Sequence, residues 1–314
     1  MRLSRVIIAI VAVATTAAAE EATFSAGRAT TTIAGLADCG ARSRVSAVGE
    51  ITNSAGNIRT VPAATHFGIA PVAADLFNEC GGERVSALET LDLASVPVMD
   101  AGGSEEFATY IFADNYFELH VNGVLIAVDP VPFTPFNSNV VRFKADRPVT
   151  LGVMGVDWEE NLGLGSEKGR GMAYHPGDAG FVMQVRDVSG AVVLITDGSW
   201  KAQTLHTAPL PNRDCLIETG AQRDSSACST GSVEDGSGYS AAHWDIPEDW
   251  ATPDFDTSGW PAAATFSNDT VGVDNKRAYT TFAEVFDDPT ADPEFIWSSN
   301  LVLDNVVLMR ATID

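Results

Sequence analysis

Basic residues are scarce in this chain: 19 Lys and Arg face 42 Asp and Glu, a formal charge of −23 over 314 residues. Polyanions need a positive surface, so nucleic acid and anionic membrane are poor partners. Such acidity suits a secreted protein in a saline setting, or a surface that collects divalent cations. Long apolar runs are lacking as well. After the N-terminal segment, no stretch approaches the roughly 20 apolar residues that a spanning helix needs. A nucleophilic serine would call for G-x-S-x-G between a strand and a helix, which is missing, as is a phosphate-cradling glycine loop. Cysteine is limited to Cys39, Cys80, Cys215 and Cys228.

At the N-terminus, Arg2 and Arg5 precede an apolar run at 6–14 and then Ala17-Ala18-Ala19 before Glu20. This is the charge, core and small-residue pattern of a secretory signal, and about nine apolar residues are too few for an anchor. Export, to the periplasm or beyond the cell, is the expectation, and residues 1–19 are set aside. In an exported chain an even cysteine count favours two disulfides over metal ligation. The expected pairs are sequence-local, Cys39 with Cys80 and Cys215 with Cys228, the second stapling a polar loop at 214–238.

Alternation is what the remaining sequence offers. In Tyr116–Val121 the apolar residues Phe117, Leu119 and Val121 alternate with Tyr116, Glu118 and His120, the period-two pattern of a strand with one buried face. Asn122-Gly123 suits a two-residue type I′ turn, which needs positive φ at both positions. The return strand predicts Val124, Ile126 and Val128 on the same face as Phe117, Leu119 and Val121. More strands are predicted at 140–143, Val149–Val156, about 181–185, 191–196 and 301–310, joined by short turns. Residues 20–104 read as a small β-rich subdomain or extension, with strands at Thr30–Ile33, 44–51 and Ile58–Val61 and a short helix at 73–80. Residues 105–314 read as the main body. The fold class is all-β, an antiparallel β-sandwich.

Three strings carry a family resemblance. They are Asp114-Asn115-Tyr116-Phe117 within 112–123, Thr196-Asp197-Gly198-Ser199-Trp200-Lys201, and Phe255-Asp256-Thr257-Ser258-Gly259-Trp260-Pro261. In this order they resemble the galactose-binding-like jelly rolls that accompany rhamnosidases and other glycoside hydrolases. The resemblance covers about residues 105–266 and implies a sandwich, without specifying a sugar. Phe295-Ile296-Trp297-Ser298 and Val306–Arg310 are similar to what such modules carry at their beginning, so the last strand is expected to complete the sheet as a permuted first strand at an edge.

The most concentrated polar set is Asp157, Trp158, Glu159, Glu160 and Asn161, leading into the glycine-rich loop 162–171, with His175 and Asp178 behind. Trp158 could stack on a sugar ring while Asp157, Glu159 or Glu160 accepts hydroxyl hydrogen bonds; alternatively Trp158 plugs the core and the acids are solvated. Asn115 and His175 join this ligand-binding set, and Trp250 is a further candidate platform. Asp114 and Asp178 are candidate Ca²⁺ ligands through oxygen, or, for Asp114, a turn-stabilising residue. The expectation is an exported, non-catalytic protein that binds carbohydrate, or another extracellular ligand, on loops, with Ca²⁺ as a possible aid. The alternatives are a secreted glycan hydrolase using a carboxylate pair and a surface module without a small ligand.

Overall fold

Tyr116–Val121 turns at Asn122-Gly123, with φ of 50° and 85°, into Val124–Val128, which is the hairpin the alternation predicts. Its register departs from expectation at a bulge: Leu119 faces Ala127 and His120 faces Leu125, leaving Ile126 unpaired. Beyond a bulge the alternation shifts by one. Ile126 and Ala127 therefore join Phe117, Leu119 and Val121 in one core, whereas Val128 packs with Tyr116 on the opposite face. Val124, at the turn, is 45% exposed.

A computed structural model describes residues 20–41, 43–168, 173–229, 236 and 238–314. The leader-like segment 1–19, residues 169–171 of the glycine-rich loop, and most of 230–237 within the predicted polar loop lie outside the described residues. The described strands begin with β1 (Thr23–Ala26), β2 (Thr30–Ile33), β3 (Val48–Thr52), β4 (Ile58–Val61), β5 (Ala74–Asn78) and β6 (Val98–Asp100). Next come β7 (Glu105–Asp114), β8 (Tyr116–Val121), β9 (Val124–Val128), β10 (Asn137–Ala145) and β11 (Val149–Val156). They continue with β12 (Gly180–Asp187), β13 (Val192–Ile195), β14 (Lys201–Leu210), β15 (Ile217–Thr219) and β16 (Gln222–Asp224). The last are β17 (Ser240–His243), β18 (Ala264–Phe266), β19 (Phe295–Trp297) and β20 (Asp304–Ile313).

Two sheets face each other. One has the order β1-β17-β14-β20-β11-β8-β9; the other runs β18-β19-β12-β7-β10-β5, with β13 beside β12 and β6 beside β10. Pairing is antiparallel throughout, apart from β6 with β10. The chain is thus an antiparallel β-sandwich. Phe117 and Phe181, 6.3 Å apart, meet across the gap between the sheets. The predicted helix at 73–80 is instead strand β5, whose backbone groups pair with the edge of β10 while Leu76 and Phe77 are buried. In the N-terminal region, β1, β5 and β6 add to the main sheets, and β2–β4 form a separate three-stranded sheet.

The final strand completes the first sheet from inside it, between β14 and β11, rather than at the expected edge. A central strand must be apolar on both faces, and β20 is: Val307 and Met309 enter the core between the sheets while Val306 and Leu308 enter a second core on the outer face. That outer core, covered by residues such as Leu210, Cys228, Phe255 and Trp260 and by Phe24 and Val48 of the N-terminal strands, also takes in Trp158, Trp244 and Trp250. Strand β11 makes room for aromatics with two glycines. A Cβ at Gly155 would stand 2.4 Å from Trp297, and one at Gly152 would stand 2.9 Å from Trp250.

Three short helices, α1 (Asn268–Val271), α2 (Arg277–Thr280) and α3 (Ala283–Phe286), cover the second sheet. Their anchor is aromatic. Phe112 meets Tyr279 edge-on at 5.5 Å and Phe286 at 6.3 Å. Both predicted disulfides are formed, Cys39–Cys80 and Cys215–Cys228. No described helix is long and apolar enough to cross a membrane.

Candidate polar cleft

The sandwich switches sheets abruptly at one end: β7 stops at Asp114, β8 starts at Tyr116, and Asn115 alone makes the crossover. At the same end β11 runs out into Asp157, and Asp178 stands just before β12. The side of α1 and the loop before α2, with Val271, Gly272 and Lys276, close over this end, and Arg44 and Thr134 complete the wall. The result is a polar cavity of about 240 Å³, lined by Asp114, Asn115, Asp178 and Glu167 among others. It adjoins a larger surface hollow of about 1000 Å³, sharing Arg44, Thr134, Phe136 and Lys276 with it.

Burial dominates the electrostatics of this floor. It pushes the Asp114 carboxyl up to about 8, helped by the charge of Asp178 and opposed by Lys276 and Arg44. Asp157 is raised well above the carboxylate range by burial and then by Asp114, Asp178 and Glu159. Asp178 is raised by burial too, with Lys276 pulling the other way. Carboxyls that raise one another must lie close together, and at neutral pH Asp114 keeps its proton in most molecules. A protonated carboxyl donates one hydrogen bond and accepts others, as a sugar hydroxyl does.

Two cations meet these acids. Arg44 pairs with Glu167 and lies over the Phe133 ring, and Lys276 sits 4.1 Å above the Phe136 ring centroid. Sequence reasoning missed Arg44, Lys276, Thr134 and Phe136, which are remote from the acids along the chain. The scarcity of basic residues was the available signal, since two of the few converge here.

Several expected site residues prove to be internal. Trp158 is 1% exposed, its indole N–H donates to the Ala47 carbonyl at 3.1 Å, and its ring packs edge-on against Tyr116. Trp250 is 7% exposed and packs against His120 and Gly152. Neither ring offers a face to solvent, because the outer core needs both as filling. Trp244 and Trp260 are likewise buried. Glu159 is buried, raised to about 8 by burial, and accepts the Gly163 backbone N–H, so it fastens the glycine-rich loop from within.

Glu160 borders the large hollow and accepts the Lys168 backbone N–H at 2.7 Å. The His175 Nδ1 donates to the Pro176 carbonyl, and its backbone pairs with Glu167 on the cleft wall. Asp157 lies behind the floor, where the Asn305 amide donates to it at 3.4 Å. Asp114 and Asp178, the two candidate Ca²⁺ ligands, both line this cavity. Among the described residues, however, no three His, Cys, Asp or Glu side chains are arranged to hold a metal ion.

No protein-family model matches the chain, and no curated protein or solved structure matches it either.

Proposed function

We propose that this is an exported β-sandwich protein that binds a carbohydrate in the polar cleft at the Asn115 crossover. The observation that carries the reading is the cleft itself. It is concave, its floor carries carboxyls that can both donate and accept hydrogen bonds, and its wall carries Arg44 and Lys276. Sugar hydroxyls need that mixture. With the tryptophans covered, recognition rests on hydrogen bonds, with Phe136 the aromatic ring on the wall. Export is supported by the leader-like sequence and by two disulfides, which persist in oxidising compartments. The three strings similar to galactose-binding-like modules agree with the sandwich and leave the ligand open.

The test is a glycan array followed by calorimetry on the hits. Asp178→Asn and Lys276→Ala should each weaken binding about tenfold or more, as expected for loss of a hydrogen bond to a charged group. Uniformly flat responses, or hits indifferent to both substitutions, would remove the reading.

A second reading, glycan hydrolysis, is favoured by one observation: Asp114, held protonated near neutral pH, stands beside Asp178 in the same cavity. One carboxyl poised as acid beside another as base is the division of labour in glycosidases. Release of reducing ends from an array hit, abolished in Asp114→Asn, would establish it in place of simple binding.

A further inference from the structure

Polar groups serve a ligand only where a ligand can reach them. The stacked imidazoles of His206 and His243, with centroids 4.7 Å apart, fail this condition, since both His206 ring nitrogens are sealed from solvent. Tyr110 meets it. Only 5% of the residue is exposed, yet its hydroxyl has no hydrogen-bond partner among the described residues and is not closed off.

The row of residues beside it explains why. Across the second sheet, Arg142 of β10 and Arg186 of β12 both stand opposite Ala108 of β7. With strands about 4.8 Å apart, two long side chains rise roughly 10 Å from each other on either side of a single methyl group. The gap is a groove of about 260 Å³. It opens on the face turned away from the first sheet, where alternation along β7 also puts Phe112 against α2 and α3. Leu93 stands on one side, Asp187, Val188 and Gly190 on the other, with Ala108 and Tyr110 between them.

Both guanidinium groups are held in place by the protein. Arg142 Nη1 donates to the Leu93 and Val96 carbonyls, each at 3.1 Å, and its Nη2 donates to Glu106 at 2.9 Å. Arg186 Nε donates to the Gln184 side-chain oxygen at 2.6 Å, and its Nη2 reaches the Glu284 carbonyl at 3.4 Å and Asp288 at 3.8 Å. Its Cζ lies 5.6 Å from the centre of the Tyr110 ring. Arg186 Nη1 is left over, without a partner among the described residues and not sealed from solvent.

A fixed guanidinium N–H beside a free phenol O–H forms its strongest hydrogen bonds with an anionic oxygen. Burial raises the Tyr110 hydroxyl above the ordinary phenol value, so it remains a donor. Glu106 and Asp187 also line the groove. The first is paired with Arg142, and the second accepts from the Ser189 and Ala191 backbone, so neither takes up the two free donors. Their charges oppose a dianion such as a phosphate monoester and leave room for a single negative charge.

We propose that this groove binds a small organic monocarboxylate, whose oxygens accept from the Tyr110 hydroxyl and Arg186 Nη1 while its body lies over Ala108 between the two arginines.

The experiment titrates the full chain by calorimetry with lactate, benzoate and glucuronate, which share the carboxylate and differ in the body, and with their uncharged amides. At least one acid should bind saturably at 1:1, with its amide about tenfold weaker or worse. Tyr110→Phe removes only a hydroxyl that no described residue bonds, so thermal melting should stay unchanged while affinity for that acid falls about tenfold or more. Lys276→Ala, in the cleft, which shares no residue with the groove, should leave the affinity as it was. Absence of saturable binding by all three acids, an amide as tight as its acid, binding untouched by Tyr110→Phe, or binding lost in Lys276→Ala would each overturn the proposal.

Discussion

The backbone N–H of Trp158 donates to the Asn115 side-chain oxygen at 2.6 Å, tying the exit of β11 to the crossover between β7 and β8. The amide of the same side chain donates to Asp114 at 2.7 Å. Asn115 is 8% exposed and so works as a rivet between two strand ends and the cleft floor, and Trp158 serves the site through its backbone while its ring fills the core.

Asn115→Ala should therefore cost about 2–6 kcal/mol in urea unfolding, since it leaves a buried N–H and a buried carboxyl without partners at about 1–3 kcal/mol each. Asn115→Asp keeps the acceptor for Trp158 but sets a second carboxyl against Asp114. Its penalty should be smaller at pH 5 than at pH 8, because protonation removes the repulsion. Equal penalties at both values would show that the amide contact to Asp114 carries no weight.

Gly155→Ala should destabilise by about 1–3 kcal/mol or more, because the added methyl would stand 2.4 Å from the Trp297 ring in a filled core. Gly198→Ala is the comparison. Its Cβ would find its nearest atoms at 3.8 Å, and denaturation midpoints should barely move. A double variant, Gly155→Ala with Trp297→Phe, should recover part of the loss if the clash is the cause.

The difference between what was legible and what was not follows from range. Local rules placed the Asn122-Gly123 turn and the strands around it, because turn chemistry and period-two patterning act over a few residues, and the cysteine count with the sequence-local pairing placed both disulfides. The bulge at Ile126 was not legible, since it depends on how β8 and β9 meet the rest of the sheet. Nor was the burial of Trp158 and Trp250, because a tryptophan beside acids reads alike whether a remote loop covers it or not. Of the cleft acids, Asp178 was picked out behind the dense set at 157–161 and Asp114 by its place before the central strand, while Glu167 was not singled out; Arg44 and Lys276 come from segments more than 200 residues apart that only the fold brings together.

The two disulfides should differ in worth. Cys39–Cys80 spans 41 residues and Cys215–Cys228 spans 13. Chain-entropy arithmetic gives about 4 kcal/mol for the longer loop and about 3 for the shorter. Paired Cys→Ala variants at each bridge, compared by chemical denaturation, should follow that order; a larger loss at the shorter loop would mean that contacts rather than loop closure set the effect.

The stacked histidines should put an acid limit on stability, and its sign can be worked out. Burial holds His206 at about 4 and lowers His243 as well, where His206 adds to the effect. In the unfolded chain each returns to about 6.5. Between pH 6.5 and 4 the unfolded state therefore binds protons that the folded state refuses, and the His206 contribution falls with pH by about 1.4 kcal/mol per unit, roughly 3 kcal/mol in all. Asp114 and Glu159 act in the opposite sense. With folded values raised to about 8, their contribution is fully present below the unfolded carboxylate range, near 4, and is lost as pH rises through 8. The wild-type profile mixes both, so the informative quantity is a difference. Relative to wild type, His206→Phe should gain about 3 kcal/mol between pH 7 and pH 4, whatever its stability at pH 7. A difference that does not change with pH would mean that His206 titrates as freely in the folded chain as in the unfolded one.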